Sequence, residues 1–121
     1  MFYTFDTGKN TYKLRLDSKN AIAVEEQLGV SLLALFGGGD MQDLPTTRKI
    51  IIVLHGALQT YNHGISLDDT FSIFDEFIEN GGAHTEMYEV LMEVLQVSGF
   101  FKVPKTQKET GKVATFEPET K

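Results

Sequence analysis

Thr47-Arg48-Lys49-Ile50-Ile51-Ile52-Val53-Leu54-His55-Gly56-Ala57-Leu58-Gln59-Thr60-Tyr61 is the stretch on which the fold turns. Ile50 to Val53 are four β-branched residues in a row, which suits a strand. The stretch is too long for an ordinary strand, and Ala57, Leu58 and Tyr61 continue the pattern at helical spacing. It therefore predicts a helix over about residues 46 to 61, the third in the chain, with Pro45 in its first turn. Apolar side chains occupy nearly every side, so this is the central, buried helix. Asn62-His63-Gly64 stops it.

Working outward, a fourth helix begins at Ser66. Asp69 stands three residues on in a near-capping box, and Asp68 and Asp69 sit at the positive end of the helix dipole. Leu67, Phe71, Phe74 and Ile78 fall at i, i+4, i+7 and i+11 and predict a core stripe. Asn80-Gly81-Gly82 ends that helix. A fifth runs from about Thr85 to Val97, with Met87, Leu91, Val94 and Leu95 inward and Glu86, Glu89 and Glu93 toward water. Gly99 closes it and Phe100-Phe101 follow directly. Upstream, Asp17-Ser18 caps a first helix over residues 18 to 28, which buries Ala21, Val24 and Leu28 and ends at Gly29. Ser31 caps a short second helix, Leu32 to Phe36. A glycine-rich loop from Gly37 to Leu44 joins it to the central helix.

Residues 2 to 16 predict a β-hairpin. Tyr12, Leu14 and Leu16 alternate with Lys13, Arg15 and Asp17, and Asp6 to Asn10 supply a turn around Gly8. A lone hairpin is marginal in water, so its apolar face must rest on the helices. The expected fold is mainly α with an N-terminal β-hairpin (α+β). About five helices pack around a central hydrophobic one, in a single globular unit over residues 1 to 101. From Lys102 to Lys121 apolar periodicity stops, and residues 102 to 121 are expected to form a polar, disordered tail.

Composition narrows the function. The chain has 121 residues, 41% hydrophobic and 23% charged, and no cysteine. That excludes disulfides and thiolate metal sites and suits a reducing compartment. The N-terminus predicts no secretory signal, and the longest apolar runs fall far short of the ~20 residues of a membrane helix. The net charge is −6, while Lys102 to Lys121 carry five lysines and three glutamates, so the first 101 residues hold −8. An acidic body disfavours nucleic acid, whose affinity rests on Lys and Arg displacing counterions.

The motifs that suggest chemistry each fail on their own terms. Gly37-Gly38-Gly39 lacks the Lys-Ser/Thr pair of a phosphate loop and reads as a helix terminator. His55, His63 and His84 have no metal-binding spacing. Asp68-Asp69 and Asp75-Glu76 lie at cap and outward positions, unlike the desolvated carboxylates of acid–base catalysis, and the first pair lacks the ligand pattern of a calcium loop. No catalytic, cofactor or metal residues are expected. Phe100-Phe101 either fold back into the core or form an exposed patch for a partner.

Three phrases carry a family resemblance. They are Tyr12-Lys13-Leu14-Arg15-Leu16 with Asp17 to Gly29, Leu54-His55-Gly56-Ala57-Leu58 through Asp69, and Val90-Leu91-Met92-Glu93-Val94-Leu95 through Phe101. They resemble the small tail assembly chaperones of long-tailed bacteriophages and lie within residues 12 to 101. The resemblance implies a non-enzymatic protein of the host bacterial cytoplasm, active in virion morphogenesis and absent from the mature virion. It would bind the tape measure protein and keep it soluble until tail tube subunits polymerise around it. In many such phages a frameshifted longer form recruits the tail tube protein. Such a chaperone would offer a groove to an amphipathic helix. The groove is expected between the fourth and fifth helices, with Phe77, Tyr88, Met92, Phe100 and Phe101 as contacts. The alternative is a helical adaptor or head–tail connector of a phage or prophage, which unlike a chaperone would be found in purified virions.

Overall fold

Helix α3 (Thr47–Gln59) is the axis about which the rest is arranged. Ile50, Ile51, Ile52, Val53, Leu54, Gly56, Ala57 and Leu58 are all buried. Burial on every side offsets the reduced helix propensity of its β-branched run. The computed structural model describes residues 1–37 and 44–102. Within them the order is β1 (Tyr3–Asp6), β2 (Thr11–Leu14), α1 (Ser18–Leu28), α2 (Leu32–Gly37), α3, α4 (Leu67–Glu79) and α5 (His84–Val97). This is the mainly helical, α+β arrangement expected. The proposed disordered tail and most of the glycine-rich loop lie outside the described residues.

β1 and β2 form an antiparallel pair with Tyr3 opposite Leu14 and Asp6 opposite Thr11. The Asp6 carboxylate accepts from Gly8 N–H at 2.7 Å across the turn. Gly8 has φ +99°, a conformation that side chains with a Cβ rarely adopt. Phe5, Leu14 and Leu16 turn their side chains into the common core. α3 touches α1, α4, α5 and β2, so one helix organises the whole interior. Its contact with α1 depends on Gly56. A Cβ there would lie 2.1 Å from Val24 Cγ2, so only a hydrogen lets the two helices approach this closely.

Helix ends follow the local chemistry. Asp17 caps α1 by accepting from Asn20 N–H at 2.9 Å, and Ser31 accepts from Ala34 N–H at 3.0 Å. Ser66 and Asp69 complete a capping box on α4. α5 has Ala83 at its N-cap, and Glu86 reaches back to accept from Ala83 N–H at 2.8 Å. Thr46 caps α3, which puts Pro45 just outside the helix rather than in its first turn.

The expected core stripe of α4 needs correction. Thr70, Ile73 and Phe74 are its buried residues, while Leu67 and Phe71 are 39% and 46% exposed. Tyr61, placed on the central helix by its spacing, lies beyond the end of α3 and is also exposed. There it meets Phe2 edge to face at 5.5 Å.

Candidate functional site

α4 is flanked by two clefts of opposite character. The first lies between α3 and α4 and occupies about 560 Å³. Ile51, Ile52, Leu67, Phe71, Phe74 and Ile78 supply its apolar lining, and Gln27, Thr47, Arg48, Asp75 and His84 ring it. The helical period explains the lining. Leu67, Phe71, Phe74 and Ile78 project from one face of α4, and the neighbouring face of α3 contributes Ile51 and Ile52. His84 closes one end, its ring edge-on to Phe74 at 5.0 Å. Large exposed side chains opening onto an apolar floor are the usual mark of a binding surface on a small protein.

The loop from α3 to α4 is tied down beside this groove. His55 Nε2–H donates to Ile65 O at 3.1 Å, and Gln59 Nε2 donates to the same carbonyl at 2.8 Å. His55 thus has a structural polar role. Asp69, in the capping box, accepts from Ser66 N–H at 3.0 Å, and its carboxyl sits below the usual range because that N–H and the Ser66 hydroxyl hold the charged form.

The second cleft occupies about 470 Å³ between β1, the end of α4 and α5. Asp6, Glu86, Glu89 and Glu93 line it with carboxylates over Phe77 and Val90. Burial pushes the Tyr3 phenol up, and Glu93 beside it adds to the shift. Burial likewise raises Tyr12, with Glu76 contributing. Near this cleft α4 clasps the hairpin turn. The Thr7 hydroxyl donates to the Glu76 carboxylate, and Asn10 Nδ2 donates to the same oxygen at 2.9 Å. Those two bonds, with Lys9 nearby, hold the Glu76 carboxyl below its usual range. Gly8 packs so closely on α4 that a Cβ would meet Asn80 Cβ at 2.6 Å.

The five residues expected to form a contact surface are dispersed. Phe77 packs on Phe5 at 5.2 Å and floors the acidic cleft. Tyr88 stacks on Phe36 at 5.2 Å, and its hydroxyl donates to Phe36 O at 3.4 Å. Met92 is half-buried against the core. Phe100 and Phe101 are also half-buried there, Phe100 beside Leu16, Ser18 and Ser98. No single groove gathers these five among the described residues. The apolar groove uses α3 and α4 instead, with only the first residue of α5. Leu67 and Phe71 were missed as a surface because an apolar stripe on a helix looks the same whether a neighbour covers it or not.

Among the described residues, no three of His, Asp and Glu gather closely enough to hold a metal ion. No described helix is long and apolar enough to cross a membrane. No curated protein and no solved structure matches the chain. A model described as "Family of unknown function (DUF6096)" matches residues 2–119, and the chain belongs to that family.

Proposed function

We propose that this protein is a non-enzymatic tail assembly chaperone of a long-tailed bacteriophage or prophage, acting in the host bacterial cytoplasm. It binds the tape measure protein and keeps it soluble during virion morphogenesis. The observation that carries this reading is the apolar groove between α3 and α4, with Leu67 and Phe71 open to water. The family resemblance of residues 12 to 101 supplies the partner's identity.

The physical fit is a helix laid in a groove. From Leu67 to Ile78 the groove wall runs for about 16 Å, or three turns, at ~1.5 Å per residue. A bound helix can seat apolar anchors at i, i+3 or i+4, and i+7 over that length. An unassembled tape measure protein exposes such stripes. Arg48, Asp75 and His84 give the rim charged and polar groups that can register the bound helix. The body's acidic charge limits self-association while the groove stands open. Affinity must stay moderate, because tail tube subunits later displace the chaperone. A frameshifted longer form would recruit those subunits.

Co-expression tests the proposal. The tape measure protein should remain in the soluble fraction with the native chain and precipitate with Phe71→Glu, which places a charge in the groove at an exposed position. Equal solubility of the tape measure protein with and without the native chain would sink the chaperone reading.

A further inference from the structure

The two edges of the hairpin are finished differently. Antiparallel pairing turns the N–H and C=O of alternate residues outward. Thr7 N–H donates to Asn10 O across the turn, so Phe5 also faces β2, and Thr4 and Asp6 turn their backbone groups away from it. The opposite edge has the matching phase. Lys13, paired with Thr4, turns its carbonyl outward, where Asn62 Nδ2 donates to it at 2.9 Å. Just beyond β2, Arg15 N–H donates to Ala57 O and Thr60 Oγ1 donates to Arg15 O, each at 3.0 Å. Among the described residues, the backbone groups of Thr4 and Asp6 have no such partner. Their edge opens on the acidic cleft. Glu93 lies beside Tyr3 and Asn80 against Gly8, so β1 and α5 flank that cleft in opposite directions. Among the described residues, its lining holds the carboxylates of Asp6, Glu86, Glu89 and Glu93 and no lysine or arginine.

We infer that this edge takes up an extended segment of a partner protein as a third strand, and that the segment carries lysine or arginine at every second position. Backbone and side chains select it separately. Outward N–H and C=O groups on alternate residues of a strand match the backbone of an extended polypeptide. In the added strand every second side chain points the same way as Tyr3 and Phe5, toward the cleft floor. There an apolar stem can lie over Phe77 and Val90 while its cationic head meets a carboxylate. The spacing agrees. Glu89 to Glu93 advances ~6 Å along α5, and alternate residues of a strand stand ~6.6 Å apart. A second copy of β1 fits poorly, since two-fold pairing would bring Asp6 and the carboxylate wall against their own like charge. The inference does not depend on what the apolar groove binds.

The probe is a peptide of three Lys-Thr repeats with blocked ends, added to the full chain. Amide exchange should slow at Thr4 and Asp6 and not at Phe5, whose backbone already faces β2. N-methylation of the peptide amides that face β1, either the lysine set or the threonine set, should weaken binding by about tenfold or more. Methylation of the other set should leave binding unchanged. Glu89→Lys with Glu93→Lys, both at exposed positions, should abolish binding, and a peptide of Glu-Thr repeats should bind that variant instead. Equal effects of the two methylated sets, or protection centred on Leu67 and Phe71, would overturn the inference. So would slow exchange at Thr4 and Asp6 without peptide, which would assign the edge to this chain itself or, if it grew with concentration, to a second copy.

Discussion

On the α3 side of α4 stand Leu67, Phe71, Phe74 and Ile78; on the hairpin side stand Phe77 and Asn80, facing a wall of carboxylates. One helix thus serves an apolar groove and an acidic cleft. The groove is built by periodicity within two helices, and its apolar rings stay partly in water at a free-energy cost that a bound apolar partner would remove. The cleft is built by long-range pairing, with Tyr3 and Asp6 brought to residues some eighty positions later. Its carboxylates are well hydrated as they stand. A surface that gains by being covered differs from one that is stable uncovered, and the two sides of α4 should respond differently to substitution.

The largest effect should come from the residue that holds α4 in place. Phe74→Ala removes a buried ring from the floor of the groove and should destabilise the fold by about 3–5 kcal/mol, read as a lowered denaturation midpoint. Both clefts then fail together. Gly8→Ala attacks only the hairpin side. Its positive φ and the overlap with Asn80 should cost about 1–3 kcal/mol and raise amide exchange around the turn, leaving the α3–α4 groove intact.

A pH titration separates the sides further. Glu76 is held below the usual glutamate range in the folded chain, so its clasp on Thr7 and Asn10 stabilises the fold above that range. That contribution is lost as pH falls through the lowered value, so exchange at Thr7–Asn10 should rise on acidification below the usual glutamate range, and Glu76→Gln should flatten the dependence. The smallest change in stability is expected from Phe71→Ser. Its exposed ring should leave the denaturation midpoint within about 0.5 kcal/mol of the native value while abolishing capture of an amphipathic helix, measured by co-purification. A large loss of stability there would mean that the ring is core and the groove is not a binding surface.

Much of the frame is legible in the sequence. The run from Ile50 to Val53 could be a strand until Ala57 and Leu58 extended its length, and the Ser66–Asp69 box announced α4. The alternation at Tyr12, Leu14 and Leu16 marked the hairpin. The site was less legible for a physical reason. Periodicity shows that Leu67 and Phe71 share a face with Phe74 and Ile78; it does not show whether a neighbour covers that face. Phe100 and Phe101 follow a helix end directly, and Gly99 with φ +91° turns the chain back so that both pack on the core. Glu86, Glu89 and Glu93 were readable as facing water, but nothing local relates them to β1.

The unequal finishing of the hairpin also bears on how copies of this chain can associate. A sheet open on both sides can add strands indefinitely and grow into a fibre. Here Asn62 Nδ2 caps Lys13 O on the β2 side, and Thr60 and Ser98 hold Arg15 and Leu16 just beyond that strand, whereas among the described residues the β1 backbone has no such partner. Two molecules meeting through that side would make a closed two-fold pair with no free edge left to recruit a third. A pairing of that kind would stop at two molecules rather than grow into a fibre.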